Sequence, residues 1–337
     1  MSERSKKESP KQVLLAMIGG YQTTQALYVV TKLGVADLLE HGPMSSEELA
    51  EKTGANSKAL FRVMRHLAAL GVFTQDDSRK FRLTPMGELL RTDDPHSIRH
   101  GAIFQGEEIY RAAGQLLHTV QTGETAFNHL YGKGHFDYMS EHPEASATFN
   151  KAMAQSLRRL DNPIESYDYT GKHLAIDVGG GRGDLIASVL QANPSLNGIL
   201  FDLPQGIAEA SSLLKAKGIA ARCRIITGSM FDSVPAGDVY IMSRVLHDWP
   251  DEKAAAILVN CRKSIAKGGT LLIRDNVLSE RDAPPMATQV DITMLFMTGG
   301  AERTESEWKS LLRPTGFAVT KFWKKEGVAD LIEAHPF

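Results

Sequence analysis

Apolar positions in this chain follow two rhythms, and the change between them near residue 167 divides it. In the first third, Val29, Val30, Leu33, Val35, Leu38 and Leu39 recur at helical spacing until Gly42-Pro43 interrupts them. Ser45 and Glu48 make a capping box that opens a short helix through Lys52, closed by Gly54. Leu60, Val63, Met64, Leu67 and Leu70 then mark one face of a second helix. Segments 71–74 and 80–84, joined by the polar turn 75–78, predict a hairpin. Helix, turn, helix and hairpin together make a winged helix. The aromatic-rich stretch 104–149 predicts linking helices. From Tyr167 onward, apolar runs at Leu174–Val178, Asn197–Asp202, 224–227, 238–242 and 270–274 alternate with helical patterns, which specifies a mostly parallel sheet covered on both faces. The expected organisation is a helical, winged-helix domain over 1–100, linking helices over 101–165 and an α/β domain over 166–337.

Charge and composition narrow the partners. The 337 residues carry a formal net charge of -2, so no strong field favours nucleic acid or an anionic membrane. Positions 58, 62 and 65 place Lys58, Arg62 and Arg65 on one side of the second winged-helix helix, which raises the alternative of a DNA-binding regulator. Eight Lys or Arg against six Asp or Glu between Ser45 and Arg91 leave that module too nearly neutral for a DNA-reading face. Two cysteines, Cys223 and Cys261, without metal-ligand spacing, point to a reducing, cytoplasmic setting with no zinc site. The start of the chain lacks signal-peptide features, and the apolar stretch 13–18 is too short to span a bilayer.

Candidate chemistry begins at Asp177-Val178-Gly179-Gly180-Gly181-Arg182-Gly183-Asp184, an apolar strand running into a glycine-dense turn and a helix start. The dinucleotide register fails, because counting from Gly179 the sixth position is Asp184 rather than glycine. The acid before the glycines, and a next strand ending in Asp202-Leu203, resemble the S-adenosylmethionine (SAM) methyltransferases. In those enzymes the second acid accepts the ribose hydroxyls and the glycine loop passes the amino-acid end of the cofactor. A nicotinamide site or a purely structural turn are the other readings. Ligands in such sheets sit beyond the carboxyl ends of the strands. There lie Gly228-Ser229-Met230-Phe231, suited to cover an adenine, and Ser243-Arg244-Val245-Leu246-His247-Asp248-Trp249. Asp275 and, further on, Glu302-Arg303-Thr304 follow. A histidine over such a crevice, with acids to orient it, is a candidate general base.

His247-Asp248-Trp249 downstream of the glycine loop, with Glu302-Arg303-Thr304 near the end, is similar to the small-molecule O-methyltransferase family of plant phenolic, acetylserotonin and bacterial antibiotic-tailoring enzymes. The resemblance runs from the winged helix to Leu331-Ile332-Glu333-Ala334. It implies a Rossmann-like SAM domain with an N-terminal all-α, winged-helix dimerisation domain, and a homodimer in secondary metabolism that binds neither nucleic acid nor membrane. It implies SAM as cofactor, S-adenosylhomocysteine as product and no metal. By position, Asp177, Gly179, Gly181, Asp202, Leu203, Gly228, Ser229, Met230, Phe231, Ser243, Arg244, Trp249 and Ser156 correspond to cofactor contacts. His247 corresponds to the base, with Asp275 and Glu302 as flanking acids. Phe104, Phe136, Met139, Met153, Asp248, Met294 and Met297 correspond to the wall of a flat aromatic acceptor. Three departures stand out. Asp275 is one methylene shorter than the usual glutamate, so its contact with His247 is expected to be loose or water-bridged. Ser229 replaces an aspartate that accepts from the adenine amino group, and Ser243 replaces a lysine. N-methylation, or a SAM-bound hydroxylase, decarboxylase or cyclase, are alternatives on the same fold.

Overall fold

Local capping signals set the helices of the amino-terminal region in the computed structural model, which describes residues 9–157, 163–324 and 330–337. The Ser9 hydroxyl accepts the Gln12 N–H while the Gln12 side chain accepts the Ser9 N–H, opening the 23-residue helix Pro10–Lys32. The helical run expected through Leu39 breaks instead at Gly34, whose φ of 69° no continuing helix adopts, so Val35–Leu39 is a separate helix. The capping box at Ser45 opens Ser46–Thr53, and Gly54, also left-handed, ends it. Helix Ser57–Ala69 buries Leu60, Met64 and Leu67, but Leu70, expected on the same face, lies past its end and is 47% exposed. Antiparallel strands β1 (Phe73–Gln75) and β2 (Phe81–Leu83) complete the winged helix, with Phe73 and Phe81 buried against Leu49, Met64 and Leu67.

The chain separates into two compact units, Met1–Tyr110 and Arg111–Phe337. In the second, helices Leu116–Thr122, Ala126–Tyr131, His135–Glu141 and Pro143–Leu157 precede a seven-stranded sheet. Its strands are β3 (Leu174–Val178), β4 (Asn197–Asp202), β5 (Cys223–Thr227), β6 (Gly237–Ser243), β7 (Ile265–Asp275), β10 (Phe317–Trp323) and β11 (Asp330–Pro336). Two further short strands, β8 (Val277–Leu278) and β9 (Arg303–Thr304), pair with each other in parallel. The sheet order is β10-β11-β7-β6-β3-β4-β5, parallel from β7 to β5, with β11 and β10 added antiparallel. Strand β3 is buried on both faces, which is why it reads as a continuous apolar run around one acid. One core layer gathers Ile176, Tyr240, Ile257 and Trp308, the other Ile186, Leu190, Leu200 and Ile241.

The chain builds β3, β4 and β5 to one side, then returns to place β6 and β7 on the other. Strand order therefore reverses between β3 and β6, and the crevice of an open sheet forms at the carboxyl ends of such a pair. Those ends are the Gly179 turn and Ser243-Arg244.

Candidate active site

On the β3 side, three close approaches explain the glycines. A Cβ on Gly180 would lie 2.5 Å from the Asp177 carboxyl group and from Leu200, and one on Gly179 would lie 2.8 Å from Val245. The loop thus packs directly on the segment that leads to His247. Gly181, with φ 54°, has open space where a side chain would be, so its backbone faces the crevice bare. Asp202, at the end of β4, accepts the Gly181 N–H at 2.7 Å and the Leu203 N–H at 2.6 Å, which leaves further lone pairs for two hydroxyls. Asp177 is buried with neither oxygen in a normal hydrogen bond. Burial, and then the charge of Asp202, raise its pKa to about 7. An orphaned buried acid, a second acid with free lone pairs and a bare glycine turn fit a ligand that carries hydroxyls and positive charge, as SAM does.

Beyond β5, the Asn260 side chain donates to the carbonyls of Met230 and Phe231, fixing the segment expected over the adenine. The Ser229 hydroxyl accepts the Phe231 N–H and serves its own turn. Gly228 sits over the ring of Phe201, with no room for a Cβ. Phe231 meets Trp249 edge-on at 4.8 Å, and Phe136 stacks on Trp249 at 5.2 Å. The expected acceptor wall and cofactor wall therefore share one ring. Ser243, where a lysine was the family pattern, accepts from Arg274 at 3.2 Å.

His247 lies in a one-turn 3-10 helix, Leu246–Asp248, reached through Arg244 in left-handed backbone, φ 57°. It is buried, with Nδ1 2.6 Å from Oε1 of Glu302 and Nε2 3.8 Å from Oδ1 of Asp248. Glu302 takes the Nδ1 side of the ring, so in the neutral imidazole the proton is assigned to Nδ1 and the lone pair to Nε2. Burial works to lower the imidazole pKa, but the charges of Asp275, Asp248 and Glu302 outweigh it and raise it to about 9. Asp275 makes no hydrogen bond with His247; both its oxygens lack partners among the described residues, and it acts on the ring through its charge.

Sequence reasoning missed two supports of this histidine. Gly300 approaches so closely that a Cβ there would lie 1.9 Å from the His247 carbonyl oxygen, while the neighbouring Ala301 N–H donates to that same oxygen at 2.9 Å. Asp291, on helix Pro285–Met297, accepts the Glu302 N–H at 2.9 Å. The Gly299-Gly300 pair was the available signal. The same helix carries Met294, half-buried, and Met297, buried, and packs on Leu116–Thr122 and Ala126–Tyr131. Met139 is buried on His135–Glu141 and Met153 half-buried on Pro143–Leu157; the Ser156 side chain lies outside the described residues. Phe104 is buried within the first unit. His118, Glu124 and His129 form a group of metal-ligand types whose ligand atoms lie within 4.8 Å of one another, with the two rings stacked 3.8 Å apart and His118 Nε2 2.9 Å from Oε2 of Glu124.

An open sheet with this switch-point crevice and a buried His–Glu pair beside it places the chain in the class of Rossmann-like ligand-binding α/β proteins that carry a candidate base. Comparison with known proteins is more specific. The model of the O-methyltransferase domain matches residues 114–318, and that of the O-methyltransferase dimerisation domain matches residues 15–93. The chain is 43% identical over 326 residues, 96% of each chain, to the phenazine O-methyltransferase PhzM of Lysobacter antibioticus. Among solved structures, LaPhzM superposes with a TM-score of 0.93 at 41% identity, covering 98% of this chain and all of that one. NcsB1, an O-methyltransferase from neocarzinostatin biosynthesis solved with SAM and 2-hydroxy-5-methyl naphthoic acid, has a TM-score of 0.83 at 31% identity and covers 94% and 96% of the two chains. The chain belongs to the SAM-dependent O-methyltransferase family of secondary metabolism, with an N-terminal dimerisation domain.

The dimerisation match bears on the first helix. The stretch expected to be too short for a membrane lies inside Pro10–Lys32, which by length and mean hydropathy (1.2 over an 18-residue window) could cross one. Only 11% of that window is buried. Leu14, Leu15, Met17, Ile18 and Tyr21 form an exposed apolar face within or beside the matched dimerisation region.

Proposed function

We propose that this enzyme methylates a phenolic hydroxyl of a flat aromatic small molecule, with His247 as general base, and that it works in the cytoplasm as a homodimer paired through the apolar face of Pro10–Lys32. The observation that carries the base is the 2.6 Å Nδ1–Oε1 contact of His247 with Glu302, which leaves Nε2 as the free acceptor. SAM, when bound, supplies a methyl group on a sulfonium and needs no metal to activate it. Gly179, Gly181, Asp202, Met230, Phe231 and Trp249 would hold it. A neutral phenol has a pKa of about 10 and is a poor nucleophile. As the O–CH₃ bond forms and the C–S bond breaks, the phenol proton passes to Nε2 of His247. Glu302 by hydrogen bond, and Asp275 and Asp248 by charge, stabilise the imidazolium. The methionines of the acceptor wall suit irregular fused rings, since thioether side chains adapt to shape.

The test is steady-state methyl transfer by the wild type and His247→Ala across phenols of graded acidity, with products identified by mass spectrometry. The variant is expected to lose about 10²–10⁴-fold on phenols of pKa near 10. The loss should shrink on phenols already ionised at the assay pH. An equal loss on every phenol, or none, refutes the base assignment; wild-type transfer to aromatic amines alone refutes the hydroxyl.

A further inference from the structure

We propose that Arg303 is a positioning residue for methyl transfer, holding the main chain on both sides of His247. The inference rests on His247 being the base. Arg303 is buried, on β9, immediately after Glu302. Its guanidinium donates to the carbonyl of Leu246 at 3.1 Å and to that of Trp249 at 2.8 Å, the residues one before and two after the histidine. It also reaches the carbonyl of Ala301 at 3.3 Å and, from Nε and from a terminal nitrogen, Oδ1 of Asp251 at 2.9 and 2.8 Å. Five N–H donors thus meet five oxygen contacts, and the plate lies 5.3 Å over the ring of the buried Trp308.

Three of the five contacts address the 246–249 turn or the 301–303 segment that faces it, and the other two tie the guanidinium to Asp251, two residues beyond that turn. Trp249 carries the ring shared by the acceptor and cofactor walls, so the same fork sets the ring and the base in register. A planar five-donor fork can span two carbonyls three residues apart and an acid at once. A lysine ammonium in that place keeps the charge but can satisfy only part of the set. Groups misplaced by about 1 Å lose about 10²-fold in rate.

The experiment compares wild type, Arg303→Lys, Asp251→Asn and His247→Ala. Asp251 is 76% exposed, so its replacement loosens the guanidinium anchor without touching the core. Arg303→Lys is expected to lower kcat about 10–10²-fold at temperatures where it is folded, with the KM for acceptor within about threefold. The His247 imidazole signal in NMR should shift its titration midpoint, which a merely structural loss would not move. Asp251→Asn should show the same pattern, about two- to fivefold, at unchanged melting temperature. Wild-type kcat and an unmoved imidazole midpoint in Arg303→Lys overturn the proposal. If that variant does not fold, an unmoved midpoint and wild-type kcat in Asp251→Asn overturn it. Full activity in His247→Ala would instead bring down the base reading beneath it.

Discussion

Replacing Glu302 with glutamine removes a charge from His247 while keeping an oxygen able to accept the Nδ1 proton. The 2.6 Å contact is a hydrogen bond to a charged group in a buried site, a type that contributes about 1.5–3 kcal/mol. Glutamine keeps a neutral hydrogen bond of about 0.5–1.5 kcal/mol, so about 1–1.5 kcal/mol is lost, and at about 1.4 kcal/mol per pKa unit the imidazole falls by about one unit from its value of about 9. The sign is fixed: an acid that holds the protonated ring raises its pKa, so removing the acid lets the proton go at lower pH. Because the base works when neutral, the rising limb of kcat/KM against pH, which reports the free enzyme, moves to lower pH in the variant. The plateau falls at the same time, by about tenfold or more, since a weaker base is left without a counter-charge for its imidazolium. The assay is kcat/KM over pH 5.5–10 on one phenol, with wild type and variant side by side so that the phenol's own ionisation cancels. A limb that stays in place, or moves to higher pH, refutes the claim that Glu302 sets the protonation of His247.

Gly300→Ala places a methyl against main chain that cannot yield, so we expect about 1–3 kcal/mol of destabilisation by thermal melting and a fall in kcat of about 10²-fold at temperatures where the variant is folded; wild-type turnover would show that the His247 carbonyl has room. Leu14→Glu with Ile18→Glu puts two charges one helical turn apart on the exposed face of Pro10–Lys32, where those residues are 59% and 64% exposed, and is expected to yield a monomer by light scattering; a dimer that persists would place the interface elsewhere.

The winged helix and the central sheet were legible because each element carries its own signal. The Ser45–Glu48 box, the left-handed Gly54 and the buried run of β3 are decided within a few residues of themselves. The split at Gly34 was not, since a glycine amid apolar residues at helical spacing does not announce a positive φ. Strands β10 and β11 were passed over for a related reason: β10 is the solvated edge strand, and its pairing with β11 carries a register shift between Val319 and Lys321 that blurs alternation. Resemblance drew attention to His247 and Glu302, 55 positions apart, but what surrounds them is main chain. Gly300 and Arg303 act on carbonyl oxygens of Leu246, His247 and Trp249, and a carbonyl oxygen has the same signature in every residue. The acid-rich setting of the histidine was visible as letters, and the missing methylene of Asp275 already pointed to a loose contact; that it makes no hydrogen bond to the ring is what the structure adds.

Asp177 shows why such a crevice should respond to a cation. A carboxyl group held at about 7 in the folded chain, against an ordinary 3.8, costs stability of about 4 kcal/mol once the pH exceeds 7, because the unfolded chain ionises freely and the folded one does not. The cost is absent below pH 4, grows as pH rises between the two values and is then constant. A positively charged ligand favours the ionised form and so recovers part of it, least at low pH, where the folded carboxyl must first lose its proton on binding. Affinity for SAM should therefore strengthen from pH 5.5 to pH 7.5, with proton release on binding at the lower end. Titration calorimetry in two buffers of different ionisation enthalpy measures both quantities. Asp177→Asn should flatten the pH dependence, while raising the melting point of the ligand-free chain at pH 8 relative to wild type. An affinity that is flat with pH in the wild type, or a slope that survives in the variant, would mean that Asp177 is already neutralised by the fold and that its burial beside Gly180 serves the turn alone.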